Sequence, residues 1–210
     1  MKDKKSIIIK YTIRRFMESG YSGVLTDDIA RGCGVSKATL YSLFPSKEAL
    51  ISECVDSVVA EVSGLVSSVL RDESLSYFER LNRMFATIAG FLSRVNAAAL
   101  DNLRRNFPAA YEKIDASRRK LILSNISAMI TEGKKIGFVL PETDPALIAH
   151  MLIGVASHII DPDTLAEFGR TPDRLMMSAV PVIVRGCLTE EGRKLYGKSN
   201  REENQKYKPV

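Results

Sequence analysis

Apolar residues return every three or four positions along most of this chain, the repeat of helices that bury one face. Ile9, Ile13 and Phe16 predict a first helix over Lys4 to Ser19, closed by Gly20. Between Thr26 and Leu50 the repeat breaks into short pieces: a helix from Thr26 to Gly32, a turn at Cys33-Gly34-Val35, a helix from Ser36 to Phe44, and a break at Pro45. Ile29, Ala30, Val35, Leu40 and Phe44 fall where two such helices must bury residues. Gly34 gives the turn its backbone freedom, and Ser36 and Ser46 stand at N-cap positions. Two short helices around a glycine turn form the helix-turn-helix pattern.

From Ser46 to about Leu70 the pattern predicts one long helix, with Ile51, Val55, Val58, Val62, Leu65 and Val69 as its stripe. Phe78, Leu81, Phe85, Ile88, Leu92 and Val95 mark another, a short segment spans Ala97 to Asn106, and Pro108 to Gly133 reads as a further long helix. Lys134 to Thr143 reads as a loop. Asp144-Pro145 starts a helix through ALIAHMLIGVASHII, and Thr171-Pro172 starts one through LMMSAVPVIVRGCL, with a kink expected at Pro181. Both are apolar nearly all round, so each needs cover on every side. The predicted class is all-α: an amino-terminal three-helix domain over 1–48, a helical bundle over 49–192, and a polar, frayed tail over 193–210.

Charge adds a direction to this picture. The formal charge of +5 is mild, but up to Glu48 nine basic side chains face five acidic ones, so most of the excess sits on the helix-turn-helix end. Lys37 and Lys47 each follow an N-cap serine directly, where the helix dipole disfavours a cation. An external anion such as a phosphate would resolve that conflict.

The run from Gly20-Tyr21 through IA, GVSKATLY, LF and SKEAL resembles the DNA-binding domain of the tetracycline-repressor (TetR) family of transcriptional regulators. Leu25 departs from it, standing where the family commonly has a serine or threonine cap, and Thr26 is expected to take that role. The resemblance implies a homodimer on a palindromic double-stranded DNA operator, its recognition helices ~34–36 Å apart. Lys37 is then expected to donate to guanine, and Ala38 and the Tyr41 ring to pack on a thymine methyl. Thr26, Ser36, Thr39, Ser42, Lys47 and the Tyr41 hydroxyl complete the candidate DNA-contacting set. It further implies a small, apolar or aromatic effector in the second domain, dimerisation through helices 145–160 and 172–188, and a switch carried by the long helix from Lys47. A coupling of ~1–3 kcal/mol suffices for such a switch.

The candidate pocket residues are Phe85, Ile88, Arg104, Phe107, Tyr111 and Met129; plain core and an exposed arginine are the competing readings. His150 and His158 lie eight apart on one helix, too far for adjacent-turn chelation, so no metal or other cofactor is expected. Cys33, Cys54 and Cys187 lack metal spacing and read as reduced thiols. Catalytic motifs are absent from the sequence, so a regulator rather than an enzyme is expected; an all-α carrier or enzyme keeping the helix-turn-helix as scaffold, and an activator, are the alternatives. No apolar run approaches the ~20 residues of a membrane span, and a cytoplasmic protein is expected.

Overall fold

The computed structural model describes residues 2–19, 25–95 and 97–206. Its helices, in chain order, are α1 (Lys2–Ser19), α2 (Thr26–Gly32), α3 (Lys37–Leu43), α4 (Lys47–Leu70), α5 (Tyr77–Leu92) and α6 (Ala97–Asn106). There follow α7 (Pro108–Lys135), α8 (Pro145–His158), α9 (Pro162–Phe168), α10 (Pro172–Cys187) and α11 (Glu190–Lys206). Among the described residues the one extended pairing is an isolated antiparallel bridge between Val139 and Leu188. The all-α class is what the sequence pattern predicts. Gly20 and Tyr21, the expected stop of the first helix and the start of the resemblance, lie outside the described residues.

Two compact units form, and each draws on two stretches of chain. The first comprises Met1–Val62 with Arg94–Arg118; the second comprises Ser63–Ser93 with Arg119–Val210. In the first, Ile8, Ile29, Ala30, Leu40, Phe44, Leu50, Ile51, Cys54 and Val55 bury together with Leu103, Phe107 and Ala110. The helix-turn-helix core is therefore finished by residues about sixty to eighty positions downstream. Ile9, Ile13 and Phe16 flank this cluster half-buried, while Ile8, a member of it, and Thr12 are the fully buried residues of α1, so the inner stripe lies one position before the expected one. Lys5 of α1 ties to Glu53 of α4 at 2.6 Å, and Lys113 of α7 ties to Asp56 at 2.5 Å.

In the second unit, Ser76 and Glu79 form a capping box that starts α5, whose Tyr77, Phe78, Leu81, Met84 and Phe85 are buried. Phe78 is the hub of an aromatic group, its ring centroid 4.9 Å from Tyr77, 5.3 Å from Phe138 and 5.7 Å from Tyr196. Arg80 bonds both Glu132 carboxylate oxygens and the Leu70 carbonyl, closing the end of α4. Asp144 caps α8 through Ala146 and Leu147, and Asp161 caps α9 through Thr164. The Asp161-Pro162 start repeats the Asp144-Pro145 signal, yet α9 was not among the expected helices. Helix α10 runs on through Pro181.

Two further expectations are corrected here. Leu65, placed on the buried stripe of the long helix, is about half exposed, and Val66 is the fully buried residue instead. A strict four-three spacing repeats every 3.5 residues, so on a 3.6-residue helix its face drifts by ~20° per heptad. The expected tail over 193–210 is helix α11 as far as Lys206, and residues 207–210 lie outside the described residues. Thr189 caps it by accepting from the Gly192 N–H at 3.1 Å, Tyr196 is buried, and Asn82 of α5 donates to Ser199 at 3.0 Å. Polarity concealed this helix, because one buried aromatic is its main debt to the core.

The start of α11 lies tight against the segment after α7. Thr189 donates its N–H to the Phe138 carbonyl at 3.1 Å and its hydroxyl to the Gly137 carbonyl at 2.9 Å, and Leu140 donates to the Cys187 carbonyl. A Cβ at Gly192 would overlap the Phe138 carbonyl oxygen, a backbone atom that cannot swing aside. Gly192→Ala is expected to cost ~1–3 kcal/mol of stability through overpacking. Urea denaturation should show a lower midpoint at unchanged slope; an unchanged midpoint would refute the close approach.

Candidate nucleic-acid interface

The α2–turn–α3 geometry follows from local rules. After α2 the chain reverses with Gly34 at φ 64°, the left-handed region that disfavours a Cβ. Cys33, Gly34 and Val35 donate their N–H groups to the Ile29, Arg31 and Ala30 carbonyls, closing the turn. Ser36 then caps α3, accepting from the Thr39 N–H at 3.1 Å, with the two hydroxyls 2.9 Å apart. Leu40 and Phe44, both about 2% exposed, pin one side of α3 to the core. The opposite side, carrying Ser36, Lys37, Ala38, Tyr41 and Ser42, is open to solvent, with Thr39 half-buried at its edge.

Every candidate DNA-contacting residue belongs to the first unit, but their local roles differ from expectation in two places. Thr26 does not cap α2: the N-cap position is Leu25, without a side-chain bond, and Thr26 is the first helical residue. Its hydroxyl instead accepts from the Tyr41 hydroxyl at 3.5 Å, joining the start of α2 to the exposed side of α3. Lys37 is not left facing the helix dipole alone. Asp27 of α2 meets its ammonium at 2.6 Å, so the anion sought outside the protein is already supplied from within. Hydrogen bonding to Asp27, then its charge, holds the Lys37 ammonium above the ordinary lysine range. Sequence reading missed Asp27 because it lies ten residues before its partner, across a turn.

Around this face, Ser42 donates to the Thr39 carbonyl at 2.8 Å. Ser46 caps α4 through the Ala49 N–H at 3.1 Å, and the Lys47 ammonium stands 5.9 Å from the centre of the Phe107 ring. Lys5 also lies over an aromatic, 5.5 Å from the Phe44 centre.

The candidate pocket residues do not form one group. Phe107 is buried in the core of the first unit with Tyr111 packed beside it, and Arg104 is exposed and pairs with Asp101 at 2.9 Å. Phe85 and Met129 do line a cavity, in the second unit, with Tyr77, Leu81, Ile126 and Leu152 among its other walls; Ile88 is not among them. The free space is about 20 Å³, room for one water-sized group, and its walls are apolar. The polar atoms at its edge are turned elsewhere: the Tyr77 hydroxyl donates to the Met129 carbonyl at 3.0 Å and the Cys187 thiol to the Ile183 carbonyl at 3.2 Å.

The remaining chemistry of the chain is subdued. Burial raises all three thiols above the ordinary cysteine range, Cys54 to about 12, so none is held as a thiolate. His150 bonds the Ala146 carbonyl of its own helix through Nδ1 at 2.8 Å. No metal-holding cluster of His, Cys, Asp or Glu occurs among the described residues, and no described helix is long and apolar enough to cross a membrane.

Known proteins agree with this geometry. Residues 8–54 match the family model described as bacterial regulatory proteins, tetR family. The chain is 26% identical over 184 residues to the uncharacterized HTH-type transcriptional regulator YvaF of Bacillus subtilis, covering 88% of this chain and 95% of that protein. It is 29% identical over 145 residues to the HTH-type transcriptional repressor DhaR of Mycobacterium sp., covering 66% of this chain and 71% of that one. Among solved structures, the transcriptional regulator FadR from Bacillus subtilis in complex with stearoyl-CoA superposes with a TM-score of 0.66 at 19% identity, covering 86% of this chain and 98% of that chain. That likeness speaks to the fold. With the matched segment running from α1 through the α2–turn–α3 unit into α4, residues 8–54 form a DNA-binding domain of the tetR type, and the chain is similar over most of its length to helix-turn-helix transcriptional regulators.

Proposed function

We propose that this regulator is a cytoplasmic repressor that grips a palindromic operator as a homodimer and releases it when a small apolar molecule binds the second unit. The observation that carries the DNA-reading part is the division of α3. Leu40 and Phe44 anchor one side while Lys37, Ala38 and Tyr41 stand out on the other, as major-groove reading requires. Ser36, Thr39, Ser42, Thr26 and Lys47 are assigned to the DNA backbone, and none of them is fully buried. DNA binding is assigned to the first unit; effector binding and dimerisation are assigned to the second.

Dimerisation through α8 and α10 is supported by exposed apolar side chains on both: Leu147 and Met151 on α8, Met177 and Val182 on α10. A second copy would cover them through the same surface on each subunit. The effector reading is supported by the apolar cavity between α5, α7, α8 and α10. With no cation among its walls, a ligand entering it would be uncharged at the buried end, and the cavity must widen to admit it. The stearoyl-CoA bound in the FadR structure and the role of DhaR as a repressor support the same reading.

The experiment is a salt-dependent binding titration on duplexes selected by the protein from a randomised pool. Lys47→Ala should weaken all sequences alike and reduce the salt slope by about one unit, whereas Lys37→Ala should also relax discrimination at one base step by ~10-fold. Unchanged affinity and slope in both variants would refute this assignment of the DNA-facing side.

A further inference from the structure

Asp27 presents a physical problem on the surface just described. A carboxylate on a face that must approach a polyanion repels every phosphate near it. The fold has no evident need of the charge there. Both Asp27 and Lys37 are more than half exposed, and exposed pairs contribute little to stability. The acid preference of the first turn of α2 is met independently by Asp28, which also faces Arg31 at 3.7 Å. Yet Asp27 lies 2.6 Å from the lysine that leads α3, beside the Tyr41–Thr26 contact that also joins the two helices.

We infer that Asp27 is a specificity-determining residue, and that the Asp27–Lys37 pair reads a G·C base pair as a unit. This rests on the DNA-binding reading above and deepens it. In the major groove a G·C pair presents the guanine O6 and N7 acceptors beside the cytosine N4 amino donor. The Lys37 ammonium, with three donors, bonds guanine while keeping one for Asp27; the Asp27 carboxylate accepts from cytosine N4. No proton changes hands. A phosphate offers acceptors only and leaves the carboxylate facing like charge, and an A·T pair presents it with thymine O4. The pair therefore weakens indiscriminate backbone binding and rewards one base pair.

The test uses the full chain and duplexes that it selects from a randomised pool. The best duplex, its single G·C to A·T variants and a scrambled duplex are titrated at several salt concentrations with the wild type, Asp27→Asn and Asp27→Glu. In the wild type one G·C position should cost ~10-fold or more when replaced, and in Asp27→Asn that cost should fall below about threefold. Asp27→Asn should also bind the scrambled duplex several-fold tighter with a steeper salt dependence, while Asp27→Glu keeps the wild-type preference. Matching thermal melts by circular dichroism establish that the variants fold. Asp27→Asn retaining the base preference, or weakening all duplexes equally as a merely structural residue would, overturns the inference and leaves the DNA-binding reading intact. A wild type that prefers no duplex to the scrambled one overturns both.

Discussion

Val182→Lys is expected to leave the protein as single subunits and to lower its affinity for a palindromic operator by ~100-fold or more. Val182 is the most exposed large apolar side chain described, at 73%, and Met177 of the same helix and Leu147 and Met151 of α8 are exposed with it. An isolated subunit has no reason to present four such groups on two packed helices; in the proposed homodimer a second copy covers them. A lysine buried in the proposed contact would have to be stripped of its water, and each subunit would carry one. Because the residue is exposed, the subunit itself should fold with its stability changed by less than ~0.5 kcal/mol. The loss on DNA is large because engaging the second half-site becomes a separate bimolecular event. Sedimentation velocity beside a mobility shift decides the matter. A dimer of undiminished strength in the variant would mean that the subunits meet elsewhere.

Phe78→Ala is expected to remove ~3–5 kcal/mol from the stability of the protein, a large share of the ~5–15 kcal/mol typical of a folded domain. The ring is 3% exposed and touches Tyr77, Phe138 and Tyr196, side chains from α5, the segment after α7, and α11. Those partners are held by the backbone, so the space left behind cannot close fully. Phe168→Ala provides the contrast. That ring is 57% exposed on α9, and its removal should change stability by less than ~0.5 kcal/mol. Urea denaturation of the two variants against the wild type makes the comparison. A loss below ~1 kcal/mol for Phe78→Ala would show that the aromatic group is not a centre of the core.

What could be read from the chain beforehand was what neighbouring residues decide among themselves. Ser36 and Ser46 cap their helices, Gly34 takes the turn, and Asp144-Pro145 opens α8, each within a few positions of its partners. The side of α3 that faces solvent was legible for the same reason, since Leu40 and Phe44 are four apart on one short helix. Pairings across a turn were not. Asp27 meets Lys37, and Thr26 meets Tyr41, only once α2 and α3 have folded against each other. Longer separations were further out of reach: Tyr196 counts as core only beside Phe78, and Asn82 finds its partner 117 residues away. The cavity failed to show for a related reason. Phe85 and Met129 line it while Phe107 and Tyr111 do not, and all four are alike in being aromatic or apolar. The side of its helix that each presents, and the unit to which that side belongs, are tertiary facts that periodicity along one helix does not contain.

The interleaving of the two units sets an order of events during translation. Helices α1 to α3 and the start of α4 leave the ribosome with Ile29, Leu40 and Phe44 still lacking Leu103, Phe107 and Ala110 to close over them. The nascent reading head therefore waits until about forty residues beyond the end of α4 have emerged before its interior is sealed, and a gene fragment ending soon after α4 would yield a sticky, half-assembled polypeptide rather than a miniature DNA binder.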